Sequence, residues 1–244
     1  MKIIKFILLV FGIVVLFFPV IFFKQNFIFT NMMVDLPILV ILNILLLLFM
    51  LQEEITCYEY PSIYLLTISA LAVFSSFLRM IPLPMGVTLA FLLPVATGTV
   101  LGSSSGFLIG QLSMLVGGFF LGGIGPWVPF QCFVMGLVGF ISGYIPYSVK
   151  KNRIVVILYS VLIAFFYGYL MSISYWPIAV QNTFFSNLIL DRLRMYNGFY
   201  FTTSFLWDLI RSIGNVFVFL SLFHVSCNLI QRSKSRLTFK EDIK

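Results

Sequence analysis

Apolar residues dominate the chain in eight long stretches, which are separated by short segments that hold charges, Pro or Gly. A helix that crosses the hydrocarbon core of a bilayer needs about 20 mostly apolar residues. The pattern therefore predicts eight membrane helices. They run over Ile3–Phe23, Pro37–Leu51, Ser62–Ile81, Val87–Leu101, Gly106–Gly122, Phe130–Pro146, Ile154–Trp176 and Phe201–Ile230. The more polar segment Pro177–Tyr200 is expected to form a lid or a surface helix rather than a further span.

The composition supports a membrane location. Of the 244 residues, 61% are hydrophobic and only 9% are charged, and the mean hydropathy is +1.08. Soluble domains hold about 45–50% apolar and about 25% charged residues. An ordinary water-soluble fold is excluded, and so is a disordered chain, which would be rich in charge and poor in aromatic residues. The predicted fold class is an all-α integral membrane protein.

The net charge of +7 does not indicate a nucleic-acid partner, because the Lys and Arg residues lie at the ends of the apolar stretches. Lys2 and Lys5 precede the first helix, Lys150 and Lys151 follow the sixth, and five more basic residues lie in the tail 232–244. The positive-inside rule then predicts a multi-pass cell-membrane protein with both termini in the cytoplasm. Three basic residues fall on the outer side instead: Lys24, Arg192 and Arg194.

No motif for catalysis or nucleotide binding occurs in the chain. It has no P-loop, no HExxH and no GxSxG sequence, and its three Cys and single His are not spaced as metal ligands. We expect neither an enzyme nor a cofactor-binding or metal-binding protein. The Gly-rich segment Gly102–Gly106 is better explained as a tight turn between helices. Uphill transport by this chain would need energy from a partner or from an ion gradient.

The last predicted helix carries Asp208, Arg211 and Asn215. Spacings of three and four residues place all three on one helix face, where Asp208 and Arg211 can pair. Charged residues at membrane depth cost about 2.5–3.5 kcal/mol each on insertion scales, so they are functional candidates. Two interpretations remain open, namely an ion pair that holds helices together and one wall of a binding cavity that opens outward.

Aromatic and amide residues gather at the same predicted end. The segment Gly122–Gln131 contains three Gly and two Pro and presents Trp127 beside Gln131, and Trp176 ends the seventh helix. An aromatic surface next to an amide suits a planar, heteroatom-rich ligand. An interfacial aromatic anchor is the alternative. Arg79, near the outer end of the third helix, either snorkels to the interface or contacts a polar or anionic ligand.

Small residues recur at spacings that place them on one helix face. Examples are Gly106 with Gly110, Gly118 with Gly122, and Gly139 with Gly143. A similar stripe in the third helix consists of Ser69, Ala72 and Ser76. Such stripes allow another backbone to approach closely. They indicate packing within the chain or a docking face for a partner.

The block from Leu65 to Pro146 resembles the substrate-binding S component of energy-coupling factor (ECF) vitamin transporters, most closely the group that includes cobalamin-uptake S components. The matching motifs are Arg79-Met-Ile-Pro82, Gly106-x-x-x-Gly110, Gly-Pro-Trp-x-Pro-Phe-Gln ending at Gln131, Met171 to Pro177, and Asp208-x-x-Arg211-x-x-Gly214-Asn215. With these later motifs the resemblance extends to about Leu220. The sequence departs from the family pattern at Arg211, where a His is expected, and at Ser172, where an amide is expected.

The resemblance implies a six-helix substrate-binding core over residues 61–231. Two additional transmembrane helices and a linker precede it (1–60), and a basic tail follows (232–244). It also implies a transmembrane coupling subunit, two cytoplasmic ATPases, membrane lipid and a small-molecule vitamin as partners. Ser69, Ala72 and Ser76 become the expected docking face. The expected pocket residues are Arg79, Trp127, Gln131, Trp176, Asp208, Arg211 and Asn215. The alternatives are an autonomous ion-coupled carrier, for which we find no internal repeat, and a structural membrane subunit.

Overall fold

The chain folds into an all-α bundle. The computed structural model describes residues 2–22, 28–84, 87–120, 123–145, 148, 152–179 and 188–237. Its helices are α1 (Lys2–Leu16), α2 (Phe18–Phe22), α3 (Ile28–Cys57), α4 (Pro61–Met80), α5 (Leu92–Leu101), α6 (Ser103–Phe120), α7 (Val128–Ser142), α8 (Arg153–Ala179), α9 (Ile189–Thr203), α10 (Phe205–Val218) and α11 (His224–Lys234). A 3-10 turn, Leu89–Phe91, precedes α5, and a π-helical turn, Phe219–Phe223, joins α10 to α11.

Within the described residues, each predicted apolar stretch corresponds mainly to helix, while the predicted ends Phe23, Gly122 and Pro146 lie outside them. Among the described residues, five helical segments are long and apolar enough to cross a membrane. These are Leu36–Cys57, Pro61–Met80, Ser103–Phe120, Arg153–Trp176 and Phe205–Lys234. The other three stretches correspond to the shorter apolar helices Ile3–Leu16, Leu89–Leu101 and Val128–Ser142. Large apolar side chains such as Leu66, Phe119 and Phe217 lie exposed on the outside, where a membrane protein meets lipid. The all-α membrane fold is thereby confirmed.

Several predicted boundaries are wrong. The first stretch breaks at Phe17, two residues before Pro19, because a proline has no N–H for a continuous helix. Conversely, α3 is much longer than Pro37–Leu51 and keeps Pro37 inside it. The fourth stretch begins at Leu89 rather than Val87, where the Thr88 hydroxyl accepts a hydrogen bond from the Ala90 N–H (3.1 Å).

The segment Pro177–Tyr200 is only partly a separate element. Helix α8 continues through Ala179, and residues 180–187 lie outside the described residues. Beyond them α9 runs from Ile189 to Thr203, and Ser204 separates it from α10. One face of α9 is exposed while Tyr196 and Tyr200 are buried against the bundle. Helix α9 therefore lies on the outside of the bundle, and its role as a lid or a surface helix stays a prediction.

Glycines bring α5, α6 and α7 into backbone contact at the centre of the bundle. A side chain at Gly106 would overlap the backbone of Gly139, and one at Gly110 would overlap the backbone of Met135. At the end of α7, a side chain at Gly143 would likewise overlap Ser103. Intramolecular packing thus accounts for two of the predicted glycine pairs. In the third pair Gly118 makes only ordinary contacts, with Val128, and Gly122 lies outside the described residues.

The turn predicted at Gly102–Gly106 is confined to Gly102, because Ser103–Gly106 already belong to α6. Helix α5 ends at Leu101, and α6 begins at Ser103. Gly102 joins them with φ of +118°, a backbone conformation that side chains with a Cβ rarely adopt. The short connection makes α5 and α6 antiparallel neighbours, and it places the polar residues Ser104 and Ser105 at the start of α6.

The N-terminal helices are attached to the rest of the bundle by polar contacts at two levels. Near the start of α1, Lys5 pairs with Glu53 of α3, and Ser104 of α6 donates a hydrogen bond to the same carboxylate (3.0 Å). Midway along α3, the Gln111 amide donates to Asn43 Oδ1 (3.0 Å) and to the Asn43 carbonyl (2.7 Å). Helices α1 and α3 are therefore fixed parts of the fold.

Candidate ligand-binding cavity

A cavity of about 330 Å³ lies at the end of the bundle where α4 ends and α5 begins. We call this the Arg79 end and the cavity the Arg79 cavity. Side chains from α4, α6, α7, α8 and α10 meet there. The lining consists of Arg79, Ile81, Pro82, Leu83, Val87, Thr88, Ala90, Met114, Met135, Tyr167 and Arg211. Small-molecule sites typically have such a mostly apolar wall with a few convergent polar groups.

Arg79 lies in the last turn of α4, where the helix dipole favours a positive charge. Its guanidinium donates to Gln131 Oε1 of α7 (3.0 Å) and contacts Met114 Sδ of α6 (3.1 Å). The side chain is thus directed towards α6 and α7. Among the described side chains, no carboxylate lies within 4 Å of it.

Asp208 and Arg211 form the ion pair that their spacing predicts, with Arg211 Nη1 2.8 Å from Asp208 Oδ1. The Asp208 carboxylate is buried, and its Oδ2 accepts a hydrogen bond from the Tyr200 hydroxyl (2.8 Å). Burial and this hydrogen bond raise the pKa of the Tyr200 phenol, so Tyr200 stays protonated and keeps donating. Asp208 is held by two donors, and Arg211 extends into the cavity.

Tyr167 of α8 completes the wall beside Arg211. The Arg211 guanidinium lies 6.0 Å from the centre of the Tyr167 ring, a distance at which cation–π attraction acts. Phe91 meets the same ring edge-on, with centroids 5.1 Å apart. Tyr167 is therefore held from two sides and presents a rigid aromatic surface to the cavity.

Asn215 lies one turn beyond Arg211 on the same face of α10. Its side chain is fully buried, and neither its amide nitrogen nor its amide oxygen has a hydrogen-bond partner among the described residues. Buried polar groups are almost always satisfied in native proteins, by protein or by ordered water. Asn215 thus adds an unused donor and an unused acceptor to the polar face that Asp208 and Arg211 begin.

Of the seven expected pocket residues, only Arg79 and Arg211 line this cavity. The two tryptophans lie away from it. The Trp127 side chain is 51% exposed and its ring lies over Gly125. Trp176 is buried, but its ring packs edge-on against Tyr196 of α9 (centroids 5.6 Å apart). Both positions follow from the paths of the segments around them: Gly123, at φ +88°, turns the chain before Trp127, and α9 covers the end of α8.

Most residues of the site were not anticipated from the sequence, among them Met114, Met135, Tyr167, Gly168 and Tyr200. In a chain with 29 Phe, 11 Tyr and 10 Met, no local pattern distinguishes those that face a cavity. Gly168 is next to Tyr167 in a helix that has no other glycine. As the single glycine of this helix, Gly168 was the one residue with a usable sequence signal, because a lone glycine inside a helix often marks the close approach of another group.

The match to a known family covers the cavity helices α4 to α8 but not α10, which carries Arg211. A family model described as ECF-type riboflavin transporter, S component, matches residues 62–190, more than half of the 244-residue chain. The chain belongs to this family of S components. No curated protein and no solved structure matches it. Because it belongs to this family, the protein is a substrate-binding subunit of a vitamin transporter and not an enzyme. The matched region spans α4 to the beginning of α9.

The small-residue stripe of this S component does not form a single exposed face. Ser69 is exposed, whereas Ala72 and Ser76 are buried. Ser76 faces Gly117 of α6, and its Cβ would lie 3.6 Å from a methyl group added there. The rotation of α4 about its axis thus turns two of the three residues towards the S component's own α6.

A second cavity of about 300 Å³ lies between α3, α6 and α7 of the S component. Its lining is apolar apart from Asn43 and Gln111, and the exposed Ile44, Leu115 and Ile124 border it. It contains no charged side chain that would orient a polar ligand. The Arg79 cavity is the stronger candidate site for that reason.

Proposed function

We propose that this S component captures a vitamin or related micronutrient in the Arg79 cavity and delivers it across the membrane together with partner subunits. One observation carries the proposal: Arg79 and Arg211, from helices far apart in the sequence, line one cavity. Polar groups converging in a mostly apolar cavity are the usual mark of a small-molecule site. Intramembrane arginines that merely hold helices together would have no need of a shared void.

The Arg79 end faces the exterior in this proposal. Lys5 lies near the start of α1, and Lys234, at the end of α11, donates to the carbonyl of Val100 at the end of α5 (2.8 Å). Both basic residues lie at the end of the bundle opposite to Arg79. The positive-inside rule assigns that end to the cytoplasm, so the cavity opens outward.

Cavity size bears on the choice of vitamin. At about 330 Å³, the Arg79 cavity lies near the lower end of the roughly 300–1,000 Å³ range of small-molecule sites. A molecule of flavin size suits this volume, and the family name refers to riboflavin. A corrinoid such as cobalamin is much larger and would require the helices to separate. Volume therefore favours a compact vitamin over cobalamin.

Energy for uptake comes from partners in this proposal, since the sequence contains no P-loop. A transmembrane coupling subunit and two cytoplasmic ATPases supply it. The coupling subunit packs on the exposed face of α4, where the small Ser69 lies between the exposed Leu66 and Val73. Ala72 and Ser76 support this face from behind by packing on α6.

Binding and transport assays test the proposal. The detergent-purified chain is expected to bind a vitamin without nucleotide, measured by native mass spectrometry and calorimetry. Uptake into liposomes is expected only when the coupling subunit and ATPases are present with ATP. Uptake by the chain alone in ATP-free liposomes would indicate an ion-coupled carrier. Absence of any vitamin binding by a folded protein would indicate a structural subunit.

A further inference from the structure

We propose that the Arg79 cavity recognises an anionic group of its ligand, a carboxylate or a phosphate, through the guanidinium groups of Arg79 and Arg211. This inference rests on the proposed function and specifies its substrate class. It differs from recognition of a neutral vitamin, for which hydrogen-bonding side chains without net charge suffice.

The charges around the cavity do not balance. Arg79 and Arg211 both line it, and Asp208 compensates only Arg211. Residues 81–83 and 87–88, which follow α4 and contribute to the lining, include no charged residue. Because arginine stays protonated in proteins, the cavity keeps one positive charge that no described carboxylate neutralises.

The contacts that Arg79 does make leave this charge in place. Gln131 offers a neutral amide oxygen and Met114 a thioether sulfur. The end of α4 contributes only a partial negative charge, which does not neutralise a full guanidinium charge. A guanidinium has five N–H donors in a planar fork that matches carboxylate and phosphate oxygens. Arg79 therefore has donors left for a ligand anion.

The remainder of the cavity fits the carbon skeleton of such a ligand. Tyr167 presents its aromatic ring, and Met114 and Met135 supply polarisable apolar side chains. The Thr88 hydroxyl accepts from the Ala90 N–H and still has its own hydrogen to donate to a ligand oxygen. The ligand is accordingly a compact, ring-containing molecule with its anionic group at the arginines.

Matched ligand pairs test the inference on the detergent-purified full chain without nucleotide. Two pairs differ by a phosphate: riboflavin with riboflavin 5′-phosphate, and pyridoxine with pyridoxine 5′-phosphate. Two differ by a carboxylate: nicotinamide with nicotinate, and biotinamide with biotin. In the pair that binds, we expect the anionic member to bind at least about tenfold more tightly, as for one charge-assisted hydrogen bond. The pair that binds also distinguishes phosphate from carboxylate.

Substitutions test whether Arg79 causes the tighter binding of the anionic ligand. Arg79→Gln is expected to remove most of it, and Arg79→Lys, which keeps the charge without the fork, to retain part. Arg194→Gln is the control, because this side chain is 73% exposed and pairs with Asp191 on the surface of α9. It removes one positive charge elsewhere and is expected to leave the preference unchanged. Added salt should weaken binding of the anionic member more than that of the neutral one, a measurement that needs no variant.

Two negative results remain distinguishable. Equal or tighter binding of the neutral member, or a preference that survives in Arg79→Gln, would overturn the inference while the proposed function stands. Failure of every member of all four pairs to bind would also overturn the inference, and absence of any other vitamin bound to the folded protein would overturn the proposed function as well.

Discussion

Gly168 of α8 lies directly against the carboxylate of Asp208 on α10. A methyl group at position 168 would overlap both carboxylate oxygens. The glycine therefore makes room for the buried anion that orients Arg211. Since α8 and α10 are packed side by side along this face, the carboxylate has little space to retreat.

We expect Gly168→Ala to displace Asp208 and to lower ligand affinity by at least about tenfold, the loss that one charge-assisted contact represents. Equilibrium binding by the purified protein measures it. Gly198→Ala is the matched control: it adds the same methyl group in α9, where nothing lies within 4 Å. Unchanged affinity in Gly168→Ala would show that the position of Asp208 does not matter for binding.

Substitutions in the Asp208–Arg211 pair are expected to affect stability and ligand binding in different ways. We expect Asp208→Asn and Arg211→Gln each to destabilise the protein by about 1–3 kcal/mol, because each leaves a partly buried charge without its partner. The double variant removes both charges, and its thermal stability should exceed that of the less stable single variant. Its ligand affinity should stay low. Strictly additive losses of stability would contradict this coupling.

The contact of α6 with α7 predicts a strong effect of a single methyl group. Gly139→Ala is expected to lower the melting temperature markedly, since the new side chain would overlap the backbone of Gly106, and overpacking costs about 1–3 kcal/mol. Gly118→Ala, where the nearest neighbour is Val128 at 3.6 Å, is expected to be neutral or stabilising. Similar melting temperatures for the two variants would contradict the tight packing.

Asn43 is expected to contribute to stability and not to ligand binding. Its amide donates to the carbonyls of Leu39 (2.8 Å) and Pro129 (3.1 Å), and its oxygen accepts from Gln111. Asn43→Ala should cost about 1–3 kcal/mol by leaving buried polar groups unsatisfied. Thr202→Ala, at an exposed residue that bonds only within α9, is the control. A large loss of affinity in Asn43→Ala would instead connect α3 with the ligand site.

The two aromatic residues Trp127 and Tyr167 should differ in their effects. Tyr167→Ala removes the cavity wall beside Arg211 and is expected to lower affinity at least about tenfold. Trp127→Ala, at an exposed side chain outside the cavity lining, is expected to leave affinity within about twofold. The reverse order would place the ligand at the Gly125–Trp127 surface.

Local patterns were sufficient to predict the membrane fold. A run of apolar residues is stable as a helix in lipid wherever it lies in the chain, so the eight stretches followed directly from the sequence. The Asp208–Arg211 pair also followed, since residues three apart on one helix are neighbours whatever surrounds them. Glycine spacing likewise predicted that a backbone can approach Gly106 and Gly139 closely, but not that these two residues contact each other.

Only the tertiary structure brings Arg79 together with Arg211 and leaves Trp127 exposed. Contacts between distant helices depend on how each helix is rotated about its axis and on the path of the connecting loops, and neither property is encoded in a short sequence window. The rotation of α4 buries Ala72 and Ser76 and directs Arg79 inwards. That of α8 presents Tyr167 to the cavity and Gly168 to Asp208. The sequence therefore identified candidate residues such as Arg79 and Arg211, whereas the packing of the helices decided which of them lie together.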